Sequence, residues 1–159
     1  FKRPGFLSTD KASSLDVYMH MIKHLEKKKI NIRDFCVLLP TCPVRNYKHI
    51  DEAINIYKKK KLKYLISVVK TDPLEWHFNI NKKNLMKRIN NLTFSINNRQ
   101  DLKSVYRPNG SIYIFNSFQF KKNKNFMNNL TYCYEMNKKY SLDIDSKADY
   151  EIAKKLLTK

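Results

Sequence analysis

Glycine is almost missing from this sequence: Gly5 and Gly110 are the only two in 159 residues. No low-complexity linker and no internal repeat interrupt the chain, so a single domain spanning 1–159 is expected. Cysteine is also scarce. Cys36, Cys42 and Cys133 are odd in number and form no CxxC pair, which argues against a zinc site and against a disulfide framework. Reduced thiols in a cytoplasmic protein are the simple expectation. No apolar run approaches the roughly 18 residues needed to cross a bilayer, and no charged-then-apolar leader opens the chain. Acidic residues number 14 against 32 basic ones, leaving a net charge of +18.

What is present suits a folded protein. Hydrophobic residues make up 42% of the chain and aromatic residues 13%, enough for a real core. The positive charge invites a nucleic-acid reading, but 26 of the 32 cations are lysines spread along the chain among 17 asparagines. Two lysine clusters, "EKKK" (26–29) and "KKKK" (58–61), fall at the ends of predicted helices, where cations complement the helix dipole. A solvated surface is the simpler explanation. A non-catalytic basic module binding RNA or another polyanion stands as the alternative to an enzyme.

Hydrophobic periodicity predicts helices over 13–29, 47–61 and 147–157. Their apolar faces carry Tyr18, Met21, Ile22 and Leu25; then Ile50, Ala53, Ile54 and Tyr57; then Ile152, Ala153 and Leu156. Short apolar runs at 34–39 and 64–69 read as buried parallel strands joined through a helix, which is a βαβ unit. Strands are also expected at 111–115 and 129–136, whereas 71–104 is polar and irregular. The class is α/β.

Three motifs fall where strands of such a sheet end, the usual place for a ligand. "PTCPVR" (40–45) is either a rigid turn or a crevice wall carrying Thr41 and Cys42. In "NNRQDLKSVYRPNGSIYI" (97–114), Arg99 and Arg107 belong to a set of only six arginines. Their planar forks suit a carboxylate or phosphate, with Pro108, Asn109 and Gly110 forming a turn. In "SLDIDSKADYE" (141–151), Asp143 and Asp145 are two apart and share a face if extended, which suits Mg²⁺. The competing reading makes Asp145 or Ser146 the cap of the last helix. The four histidines form no metal cluster.

"RPGFLSTDKASSLDV", "LLPTCPVR", "RQDLKSVYRPNGSIYI" and "SLDIDSKADYEIA" occur in an order and spacing that resembles the acylneuraminate cytidylyltransferases, or CMP-sialic acid synthetases. The resemblance runs from about Arg3 to Leu156. It implies a Rossmann-like nucleotidyltransferase sheet with helices on both faces, CTP and Mg²⁺ as nucleotide and cofactor, and a nonulosonic acid of the sialic, legionaminic or pseudaminic type as acceptor. Under it, Arg3, Ala12 and Ser14 match positions around cytosine and ribose. Arg99, Arg107 and Tyr113 match the sugar-acid pocket, and Arg107, Asn109 and Asp145 match the active-site machinery. Asp143 and Asp145 match the metal-holding pair. A homodimer is also implied, with a protruding segment within 71–130, either 71–104 or the stretch holding Phe118, Phe120 and Phe126.

Two departures qualify the match. Leu39 and Cys42 stand where the family's LLQPTSP pattern has Gln and Ser, which removes a hydrogen bond expected to reach the sugar acid. The family's opening strand and basic, glycine-containing phosphate loop have no counterpart here. An N-terminal segment is therefore expected to precede Phe1, and the 159-residue chain by itself is expected to be inactive or poorly stable.

Overall fold

The computed structural model describes residues 2–89 and 99–158, with only the backbone of Arg99. Within them α1 (Ser14–Lys27), β1 (Asp34–Val37), α2 (Tyr47–Lys59), β2 (Tyr64–Thr71), β3 (Phe78–Ile80) and β4 (Met86–Arg88) come first. They are followed by β5 (Val105–Asn116), α3 (Ser117–Asn123), β6 (Thr131–Glu135) and α4 (Lys147–Leu157). Side-chain caps set the helix starts. Ser13 accepts from the Asp16 amide at α1, and reciprocal capping boxes join Asn46 with His49 at α2 and Ser146 with Asp149 at α4. Ser146, not Asp145, is therefore the cap of the last helix.

The main sheet has the order β1-β5-β2-β6. Strand β5 runs antiparallel to both β1 and β2, and β2 runs parallel to β6. The expected unit β1–α2–β2 exists, but its strands are not neighbours, because β5 returns between them. That insertion corrects the reading of 34–39 as a buried strand. The strand is four residues long, lies at the sheet edge and alternates between exposed and half-buried positions. Strand β2, flanked on both sides, is buried from Tyr64 to Val69.

Pro108, Asn109 and Gly110 do not form a turn between elements. They lie inside the 12-residue β5, which pairs with β2 on both sides of them. Between the pairs Ile66–Tyr113 and Val68–Pro108, two steps along β2 face five along β5. The surplus is absorbed as a bulge, to which a proline without N–H and a glycine at φ +74° are suited.

Helices cover both faces of the sheet, as expected. On one, α2 supplies Ala53 and Tyr57 against Leu65, Ile112, Ile114 and Tyr134. On the other, α1 and α3 supply Ile22 and Phe120 against Tyr64, Ile66, Val68 and Phe115. Phe115 is fully buried, with ring contacts to Phe120 at 5.4 Å and Phe126 at 4.7 Å. Phe120 and Phe126 are thus core residues, and only Phe118 of that trio faces solvent. On α4, Ala153 alone is fully inward and Ile152 is 48% exposed, against expectation. Residues 78–88, read as irregular, form a hairpin of β3 and β4 with every strand position exposed. Residues 90–98 lie outside the described residues. No helix among the described residues is long and apolar enough to cross a membrane.

Truncating Phe115 to Ala should cost about 3–5 kcal/mol of stability, because ring contacts to Tyr18, Phe35, Tyr64, Phe120 and Phe126 are lost at once. Phe118→Ala should change it by less than about 0.5 kcal/mol. Urea denaturation of the two variants checks the assignment.

Candidate active site

The bulge of β5 is where the separate motifs meet. Asn109 is fully buried, and both ends of its side-chain amide are hydrogen-bonded. Its Oδ1 accepts from the Ser67 hydroxyl at 2.5 Å and from the Ser111 amide at 3.1 Å, while Nδ2 donates to Ser141 Oγ at 2.8 Å. Ser67 Oγ in turn accepts from the Ile112 amide at 2.7 Å, and the Ser141 hydroxyl donates to the Asn137 carbonyl at 3.0 Å. A single amide thus ties β2, both sides of the bulge and the segment leading into Asp143. The resemblance placed Asn109 in the active-site machinery. Its burial and these hydrogen bonds show what it does in the fold, which is to hold the bulge, β2 and the 137–141 segment together.

Gly110 follows at φ +74°. A Cβ there would lie 2.8 Å from Cys42 Sγ, 3.2 Å from Leu39 Cδ1 and 3.9 Å from Asp143 Oδ2. Glycine is required on two counts, the left-handed backbone and the close approach of the 39–42 turn. That turn is itself pinned. Arg45 donates to the carbonyls of Leu39 at 2.7 Å and Cys42 at 2.5 Å, and the Ile144 amide donates to the Thr41 carbonyl at 2.8 Å. The sequence reading used arginine scarcity to single out positions 99 and 107. The same signal was available at Arg45 and was missed, as were Ser67 and Ser141.

Cys42 is completely buried. Its thiol lies 3.1 Å from the Asn109 carbonyl and 3.4 Å from Asp143 Oδ1. Burial first, and then the charge of Asp143, push its pKa up to about 11, so it is a neutral S–H donor near pH 7. Tyr113 is half-buried, stacked with Phe115 at 6.1 Å and hydrogen-bonded to the Gly110 backbone. Burial raises its pKa, with smaller contributions from Tyr18, Cys42 and Asp143. Tyr18 is likewise raised by burial, against a hydrogen bond from Ser14.

Arg107, Asp143 and Asp145 line one cleft of about 520 Å³, together with Lys70, Lys138 and Lys139. Asp143 is half-buried, whereas Asp145 and Arg107 are exposed. Asp149 also borders this cleft, but its carboxylate is engaged in the α4 cap, and hydrogen bonds from Ser146 lower its pKa. Ala12 lines a different cleft, of about 470 Å³, with Phe6, Leu7, Thr9 and His20. Arg3 and Ser14 are exposed and do not border it. Arg99 begins a short 3-10 turn, and its side chain lies outside the described residues. Among the described residues no group of three or more His, Cys, Asp and Glu side chains is arranged to hold a metal ion.

The fold that carries this cleft is an α/β sheet with helices on both faces. It superposes on the crystal structure of 4-diphosphocytidyl-2C-methyl-D-erythritol synthase from Anaerococcus prevotii with a TM-score of 0.60, covering 94% of this chain and 68% of that one at 12% identity. No family model matches the chain. In sequence it is similar to the N-acylneuraminate cytidylyltransferase of Escherichia coli O18:K1:H7, 33% identical over 159 residues and 95% of this chain. It is 31% identical over 152 residues to the enzyme of the same name in Streptococcus agalactiae. It is also 28% identical to N-acylneuraminate cytidylyltransferase A of Danio rerio, over 96% of this chain. The resemblance drawn from the four motifs is thereby borne out along nearly the whole length. The chain spans about a third of the length of these relatives.

Gly110→Ala should destabilise the fold by about 2–4 kcal/mol, the sum of left-handed strain and overpacking. Adding Cys42→Ala should recover part of that loss, since it removes the 2.8 Å neighbour but not the strain. Denaturant melts of the single and double variants measure both contributions.

Proposed function

We propose that the protein carrying this chain is a cytidylyltransferase that transfers CMP from CTP to the anomeric hydroxyl of a sialic-acid-like nonulosonic acid, releasing pyrophosphate. The observation that carries the reading is the convergence of Arg107, Asp143 and Asp145, from two distant motifs, on one cleft. The similarity to N-acylneuraminate cytidylyltransferases supports the choice of reaction.

The chemistry divides among these groups. The anomeric oxygen forms a new bond to the α-phosphorus as the bond to the pyrophosphate leaving group breaks, and the hydroxyl proton passes to water. Arg107 offers a planar, permanently charged fork for the acceptor's carboxylate or a neighbouring phosphate. Asp143 and Asp145 supply two hard oxygen donors. That set fits Mg²⁺, which uses one or two protein carboxylates and completes its shell with phosphate oxygens and water. When bound there, Mg²⁺ neutralises triphosphate charge. Because Ser146 and Asp149 satisfy the α4 cap between them, Asp145 is not consumed by it. Lys70, Lys138 and Lys139 add positive charge around the same cleft, as a triphosphate and a carboxylate require. The Ala12 cleft is the proposed seat of the base and ribose.

The protein is further proposed to act as a homodimer through the β3–β4 hairpin. Phe78, Ile80, Leu85 and Met86 are exposed on this hairpin, whereas Phe120 and Phe126 are committed to the core.

The test is pyrophosphate release from CTP with a panel of nonulosonic acids. Asp145→Ala should lower Mg²⁺-dependent turnover at least about 100-fold, and Arg107→Ala should raise KM for the sugar acid at least about tenfold. Near-normal kinetics in both variants would overturn the site.

A further inference from the structure

Asp143 is held by a partner that the reaction itself does not require. The Cys42 side chain is completely buried beneath the bulge, with its sulfur 3.1 Å from the Asn109 carbonyl and 3.4 Å from Asp143 Oδ1. The backbone on either side of it is fixed, since Arg45 grips the carbonyls of Leu39 and Cys42, and Ile144, next to Asp143, donates to the carbonyl of Thr41. The other carboxylate oxygen, Oδ2, approaches the bare Cα face of Gly110, where a Cβ would stand 3.9 Å away. Cys42 Sγ and Leu39 Cδ1 border the same face, 2.8 Å and 3.2 Å from that point, and neither is a donor that Oδ2 could accept from except the thiol already turned to Oδ1.

From this we infer that Cys42 is a positioning residue for Asp143: its S–H, shared with the Asn109 carbonyl, holds Oδ1 and leaves Oδ2 as the oxygen presented to a cation. The inference rests on the proposed cation role of Asp143. The S–H is a weak donor, so the hold is soft. It depends on the sulfur being wedged between the bulge and the 141–145 segment. Outer hydrogen bonds of this type orient carboxylate ligands and tune metal affinity. A hydroxyl at the same place should do the same work through a shorter bond. Alanine should leave the carboxylate free to rotate.

Two measurements separate this inference from the cation reading. The first needs no metal. In the protein carrying this chain, with every cysteine except Cys42 replaced by Ser (Cys36→Ser and Cys133→Ser among them), the Cys42 S–H stretching band can be followed by infrared spectroscopy. Replacing Asp143 by Ala should shift that band to higher frequency, as a hydrogen bond to a charged acceptor is lost. An unshifted band overturns the inference.

The second measurement is Mn²⁺ binding, followed by electron paramagnetic resonance. Cys42→Ala should weaken Mn²⁺ binding about tenfold, whereas Cys42→Ser should stay within about threefold of the parent. Equal affinity in all three chains also overturns the inference. If the parent binds no Mn²⁺ while the infrared shift is present, the cation reading of Asp143 fails and the thiol's hold on the carboxylate stands. Circular dichroism of each variant establishes that the fold is retained.

Discussion

The side-chain amide of Asn109 is the point on which the site depends. A buried amide left without partners would cost about 1–3 kcal/mol for each unsatisfied group, so its contacts are obligatory. Here the partners come from three places: Ser67 in the central strand, Ser111 across the bulge and Ser141 ahead of Asp143. Satisfying one side chain therefore sets the relation between the strand that carries Arg107 and the segment that carries Asp143 and Asp145. The bulge makes this possible. Two steps of β2 against five of β5 leave room for Asn109 to turn inward while pairing resumes at Pro108.

A second constraint acts from the other side. Gly110 has no side chain, and Cys42 and Leu39 fill the space that one would occupy. The 39–42 turn is held down by Arg45 and by the Ile144 amide. Strand β5 and the segments at 39–45 and 141–145 are thus locked to one another through hydrogen bonds that are short in space and long in sequence. The Cys42–Asp143 contact joins residues 101 positions apart. A cleft beside such links presents its charged side chains from a firmly tied base, which suits the positioning role proposed for them.

Much of this was legible in the sequence, for identifiable reasons. The helices follow a 3.6-residue stripe closely enough that α1, α2 and α4 appear where the periodicity puts them. Arg107 and the pair Asp143 and Asp145 stood out through scarcity and spacing, and the cleft contains all three. The failures also have physical causes. Pro-Asn-Gly is the chemistry of a turn, but the same residues serve a bulge, and only the pairing of Val105–Arg107 with Val69–Thr71 tells the two apart. Local apolar content could not reveal that β5 returns between β1 and β2, because strand order is a long-range property. Asn109 was read as part of a turn and, through the resemblance, of the active-site machinery. Its burial follows from Ser67 and Ser141, 42 and 32 residues away.

The central claim is that Asn109 couples β5 to the segment that carries Asp143. A double-mutant cycle between Asn109→Ala and Ser141→Ala, read by denaturant unfolding, tests it most directly. The account predicts strong non-additivity, with a coupling energy of about 1–2 kcal/mol, since either deletion strands the other partner. Additive losses, with coupling indistinguishable from zero, would contradict it.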